Sequence, residues 1–173
     1  SFAVSSPQHS VRHQGSLKAF VQQLKSPQPI LFFAICFLLQ VSHGPYYTFF
    51  SIYLGDFGYS KSLIGWLWAL GVIAEIVVFL LVHRLFGYFS VRSLTIACLF
   101  IAAARWLVTG LYPEHLLIIL IAQVSHAATF GVFHAIAMHL IHQYFSPTAA
   151  GQGQAMYSAL SSGASGSSGA FPS

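Results

Sequence analysis

The stretch LIGWLWALGVIAEIVVFLLVHRL, residues 63–85, decides the fold class. Until His83 and Arg84 close it, every residue but Glu75 is apolar, aromatic or glycine. A run of roughly 20 such residues is what an α-helix needs to cross the hydrocarbon core of a bilayer. Glu75 falls near its middle, where a charged side chain costs about 2.5–3.5 kcal/mol on insertion scales.

Similar segments lie on either side, at 30–54, 93–111 and 116–145. A fifth is expected at 151–173, richer in Ala, Ser and Gly, with Gly163, Ser165 and Gly169 suited to close helix packing. The alternative for this last stretch is a flexible Gly/Ser tail. The links at 55–62, 86–92, 112–115 and 146–150 are short, which makes consecutive helices antiparallel neighbours. The predicted fold is therefore all-α, a polytopic transmembrane bundle of about five helices.

Composition agrees. The 173 residues are 56% hydrophobic and 6% charged, with a mean hydropathy of +0.72. A soluble domain carries about 25% charge, so water is excluded as the solvent of most of this surface. The net charge of +4 comes from seven Lys/Arg against three Asp/Glu. Such sparse cations form no clustered basic face, so no nucleic-acid partner is expected. Cys36 and Cys98 sit inside apolar stretches and read as small core residues without a disulfide.

Residues 1–27 are polar and lack the apolar core of a secretory signal. The chain opens on Ser rather than Met and reads as truncated at both ends. Within the lead-in, GSLKAFVQQLK (15–25) places Leu17, Phe20, Val21 and Leu24 at i, i+3, i+4 and i+7. That pattern predicts an amphipathic helix suited to a membrane surface. Arg12, Lys18, Lys25, Arg84 and Arg92 gather on one side of the membrane, against Lys61 with Asp56 and Glu114 on the other. Lys/Arg bias therefore puts residues 1–27 on the cytoplasmic side of a multi-pass membrane protein.

Several polar residues do not belong in lipid. Glu75 and Arg105 are deeply placed and opposite in charge, which predicts that they face each other or a shared cavity. The two readings are a coupling site and a static pair that fixes helix register. His126, His134, His139 and His142 share one segment. His126 and His134 can line one broad face, and imidazole titrates near neutral pH, as a proton relay requires. The alternative is a buried histidine donating to a backbone carbonyl. No carboxylate accompanies these histidines, so no metal site is expected, and no cofactor. Gln40, His43, Tyr47 and Ser51 recur every three or four residues around a Gly44–Pro45 break. Trp68, Gly71 and Glu75 share a face of the next segment. Aromatic rings beside one ionisable group suit a pocket for a planar solute; generic helix packing is the alternative.

The run QVSHGPYYTFFSIYLGDFGYSKSLIGWLWALGVIAEIVVF (40–79) resembles helices seven and eight of the phenylpropionate permease family. That family belongs to the major facilitator superfamily and is related to the lactose permease group. RW at 105–106, QVSHAATFGVFHAIAMHLI at 123–141 and GQAMYSAL at 153–160 are similar to its helices nine, ten and eleven. The resemblance covers residues 28–162. It implies helices 7–11 of a twelve-helix transporter working by alternating access, with an N-terminal half of the same protein as the missing partner. It also implies proton symport, with 3-phenylpropionate as the named family substrate. The lactose permease group uses an acidic residue in helix eight, an arginine in helix nine and a histidine in helix ten. Glu75, Arg105 and either His126 or His134 match that pattern in kind. The fourth segment holds no Asp or Glu, unlike helix ten of that group. The coupling carboxylate is then Glu75 or lies in the missing half.

The expected function is proton-coupled symport of a small organic anion rather than enzyme catalysis. Glu75, Arg105, His126 and His134 are the candidate coupling residues, and Gln40, His43, Tyr47 and Trp68 line the candidate solute site. A sugar or nucleoside symporter of the same superfamily is the first alternative. An integral-membrane enzyme using the histidines is the second.

Overall fold

The computed structural model describes residues 8–166, with side chains described for residues 15–161. We number its helices α1 (Gln8–Leu24), α2 (Pro27–Asp56), α3 (Lys61–Tyr88), α4 (Val91–Leu111), α5 (Leu116–Tyr144) and α6 (Ala150–Gly166). Among the described residues, α2 to α5 are long and apolar enough to cross a membrane, at 30, 28, 21 and 29 residues. At 1.5 Å per residue the shortest spans about 30 Å, the thickness of the hydrocarbon layer. α6 covers 17 residues as described, and the rest of the segment expected at 151–173 lies outside the described residues.

Local chemistry sets the ends. Ser60 and Ser90 cap α3 and α4, their hydroxyls accepting from the N–H of Leu63 at 3.3 Å and of Ser93 at 3.1 Å. α2 ends where Gly58 adopts φ +85°, a left-handed conformation that favours glycine. Gly58 N–H then reaches the Gly55 carbonyl at 3.0 Å, and Tyr59 N–H reaches the Leu54 carbonyl at 3.1 Å. This pair of bonds is a Schellman motif, and Tyr59 packs back on the core cluster that contains Leu54.

The chain forms two compact units. One is Pro45–Ala137. In it, α3 and α4 pack on the first part of α5. Its core is Tyr46, Phe50, Leu54, Ile64, Leu67 and Ile119, flanked by Trp68 and Trp106. Tyrosine hydroxyls satisfy carbonyls at the end of α4 and just beyond it. Tyr53 donates to Thr109 at 3.2 Å and Tyr59 donates to Pro113 at 2.8 Å. On α3, Val72, Ile73, Ile76 and Leu80 are exposed, a face that only hydrocarbon or another helix tolerates.

The other unit comprises residues up to Gly44 and from Met138 onward. Here α1 packs on α6. The Phe20 ring lies 5.0 Å from that of Phe145, and Phe33 lies 6.0 Å from the same ring. Gln40 Nε2 donates to the Ser161 carbonyl at 3.3 Å, tying α2 to α6.

α5 is not a uniform α-helix. Residues Ala128–Val132 form a π turn, which the hydropathy pattern does not predict. A π turn carries one extra residue and disturbs the backbone ladder. Two side chains reach carbonyls there: the Cys98 thiol donates to Ala128 at 3.1 Å, and Thr129 Oγ1 donates to His126 at 3.1 Å.

Gly153 of α6 faces Ile141 and Phe145, and a Cβ there would sit 3.0 Å from a side-chain atom of each. Gly153→Val is expected to destabilise the protein by about 1–3 kcal/mol through overpacking, and Gly153→Ala by less. Thermal unfolding in detergent checks this; equal melting points for the two variants would contradict it.

Candidate functional site

The second half of α2, the middle of α3, the end of α4 and the first half of α5 bring their polar residues together within the Pro45–Ala137 unit. Glu75 meets His126, with Oε1 and Nε2 2.9 Å apart. The histidine side chain is 5% exposed and the carboxylate side chain 19%. The π turn continues this contact along α3, because Gly131 faces Glu75, Val78 and Phe79.

A wall of rings surrounds the pair. Phe130, one turn beyond His126, stacks on the imidazole at 5.5 Å and 15°. Tyr47 meets the imidazole edge-on, its hydroxyl 3.5 Å from Nε2, and stacks on Trp68 at 6.1 Å and 17°. Tyr47 is 39% exposed and is the accessible edge of the cluster. The Trp68 indole N–H donates to Ser51 Oγ at 3.0 Å. Trp68 and Ser51 also line a concavity of about 660 Å³ that includes Gly55, Asp56, Lys61 and Gly65.

Arg105 lies deeper. Its guanidinium carbon is 3.9 Å from the Trp106 ring centre and 4.9 Å from that of Tyr46, cation–π geometry in a dry setting. The Tyr46 hydroxyl donates to Gln123 Oε1 at 2.6 Å. The Gln123 Nε2 group is buried without a hydrogen-bond partner among the described residues.

Of the two expected charges, Glu75 meets His126, and Arg105 lies against the Trp106 and Tyr46 rings in the same unit. Of the two candidate histidines, His126 meets Glu75, while His134 lies edge-on to Phe79 at 6.1 Å. Tyr47 and Trp68 stand at the cluster. Gln40 and His43 belong to the other unit, where Gln40 bonds Ser161 and the His43 Nδ1 donates to the Leu39 carbonyl at 2.8 Å. Tyr46 and Gln123 were not singled out by sequence reasoning. The available signal was Gln123 standing one turn before His126 in an apolar helix. Among the described residues no group of three or more metal-ligating side chains converges.

These features define a multi-pass membrane helix bundle that buries ionisable groups behind an aromatic wall. The chain belongs to the MFS_1 like family of the major facilitator superfamily, whose sequence profile matches residues 3–173. It is 38% identical over 140 residues to the probable 3-phenylpropionic acid transporter of Escherichia coli (strain K12). That match covers 78% of this chain and 35% of the relative, so the chain spans about a third of the length of the curated protein it matches. No solved structure matches.

Tyr46→Phe removes the donor to a buried Gln123 oxygen and is expected to cost about 1–3 kcal/mol. Adding Gln123→Met removes the stranded amide and should return part of that loss. Unfolding midpoints of the single and double variants test this; a double variant less stable than Tyr46→Phe would contradict it.

Proposed function

We propose that the whole protein to which this chain belongs is a proton-coupled symporter of a small organic anion such as 3-phenylpropionate, working in the cell membrane with residues 1–27 in the cytoplasm. The observation that carries the reading is the 2.9 Å Glu75–His126 contact set in an apolar span. A carboxylate in hydrocarbon is stable when paired or when protonated. Protonation of Glu75 removes the charge that holds the imidazole, so proton occupancy and side-chain arrangement are linked at one point. Tyr47, Trp68 and Phe130 offer ring faces to an aromatic solute. Arg105, only 3% exposed, supplies positive potential behind those rings and favours an anion without contacting it. The named relative handles an aromatic acid, which agrees with both features. His134, edge-on to Phe79 beyond the π turn, is proposed as a second coupling residue.

Uptake of labelled 3-phenylpropionate by the full-length protein in vesicles should rise with an inward proton gradient. Glu75→Gln should abolish that dependence, with a loss of about tenfold or more, the scale of one protonation switch. Gradient-independent uptake by the unaltered protein would overturn the coupling. Competition by sugars or nucleosides, and none by aromatic acids, would move the substrate to the neutral class.

A further inference from the structure

The apolar positions of α1 are not used alike. Phe20 is buried against Phe145, and Gln23 Oε1 accepts from the Ser146 N–H at 3.1 Å. One side of α1 is thus fixed to the corner between α5 and α6. Leu17 and Val21, four residues apart on another side, are 49% and 47% exposed. Lys18 is exposed beside them, and Lys25 is exposed in the turn just past the end of α1. α1 contains no acidic residue. Only Lys25 and Ser26 separate its end from α2, a helix that spans the membrane, so this face is tethered at the bilayer boundary.

We propose that the outward face of α1 binds the headgroup layer of an anionic phospholipid leaflet. Leu17 and Val21 reach below the phosphates, while Lys18 and Lys25 extend their chains to meet them. The charge pattern selects anionic over zwitterionic lipid, because each lysine near such a surface adds attraction. Since Phe20 and Gln23 hold the α5–α6 corner from the opposite side, α1 is a spacer between that corner and the lipid surface. The inference stands independently of the transport reading.

The test places an environment-sensitive fluorophore on Leu17→Cys or Val21→Cys in the full-length protein. The protein is reconstituted in phosphatidylcholine vesicles with or without phosphatidylglycerol. Nitroxide-labelled lipid should quench the probe, more strongly with phosphatidylglycerol present. Lys18→Gln with Lys25→Gln should remove about half or more of that increment while leaving neutral vesicles unaffected. Quenching by aqueous iodide instead would overturn the proposal, as would protection from both quenchers, which would mean that protein covers this face. Equal quenching in both lipids would overturn the anionic preference.

Discussion

A carboxylate cannot sit unpaired in hydrocarbon, and the middle of this bundle is arranged around that constraint. Glu75 lies in an apolar helix where charge is penalised by several kcal/mol. Its partner is supplied from α5, across a helix contact close enough for Oε1 and Nε2 to meet at 2.9 Å. Phe130, Tyr47 and Tyr46 then pack around the imidazole.

Behind this pair stands a second polar chain of different character. Arg105 and the Trp106 indole offer donors and no acceptor. The Tyr46 ring centre lies 4.9 Å from the guanidinium carbon, and its hydroxyl donates to Gln123 Oε1 at 2.6 Å. Tyr46 is the hub, with its ring centre 4.9 Å from that of Trp68, 5.5 Å from Trp106 and 5.2 Å from His126. The guanidinium is held between the Trp106 and Tyr46 rings.

Much of the fold was legible because lipid imposes a coarse rule: spans of about 20 apolar residues separated by short links. Residues 63–85 announced α3 by length alone. Glu75, Arg105 and His126 stood out for the same reason, being polar where the solvent is not. Which of them touch could not be read. Opposite formal charge pointed from Glu75 to Arg105, but partners are set by which helices approach and in what register. His43 illustrates the local competitor, since its Nδ1 returns to the Leu39 carbonyl one turn back. Tyr46 escaped notice because a tyrosine among aromatics carries no signal of burial, and Gln123 because a single amide in an apolar helix is ambiguous.

The π turn at Ala128–Val132 has a consequence for how this helix compares with its relatives. One extra residue in a regular α-helix would turn everything beyond it by about 100°, and a π turn takes up that residue within one wide turn. A homologous helix one residue shorter and without the π turn would therefore keep the same face inward beyond this point. Two such chains, aligned without a gap, would pair residues about 100° apart around the helix. The histidines from His134 onward should therefore be compared by the face they occupy, and a length change at the turn should be read as gain or loss of the bulge rather than as a rotation of the wall.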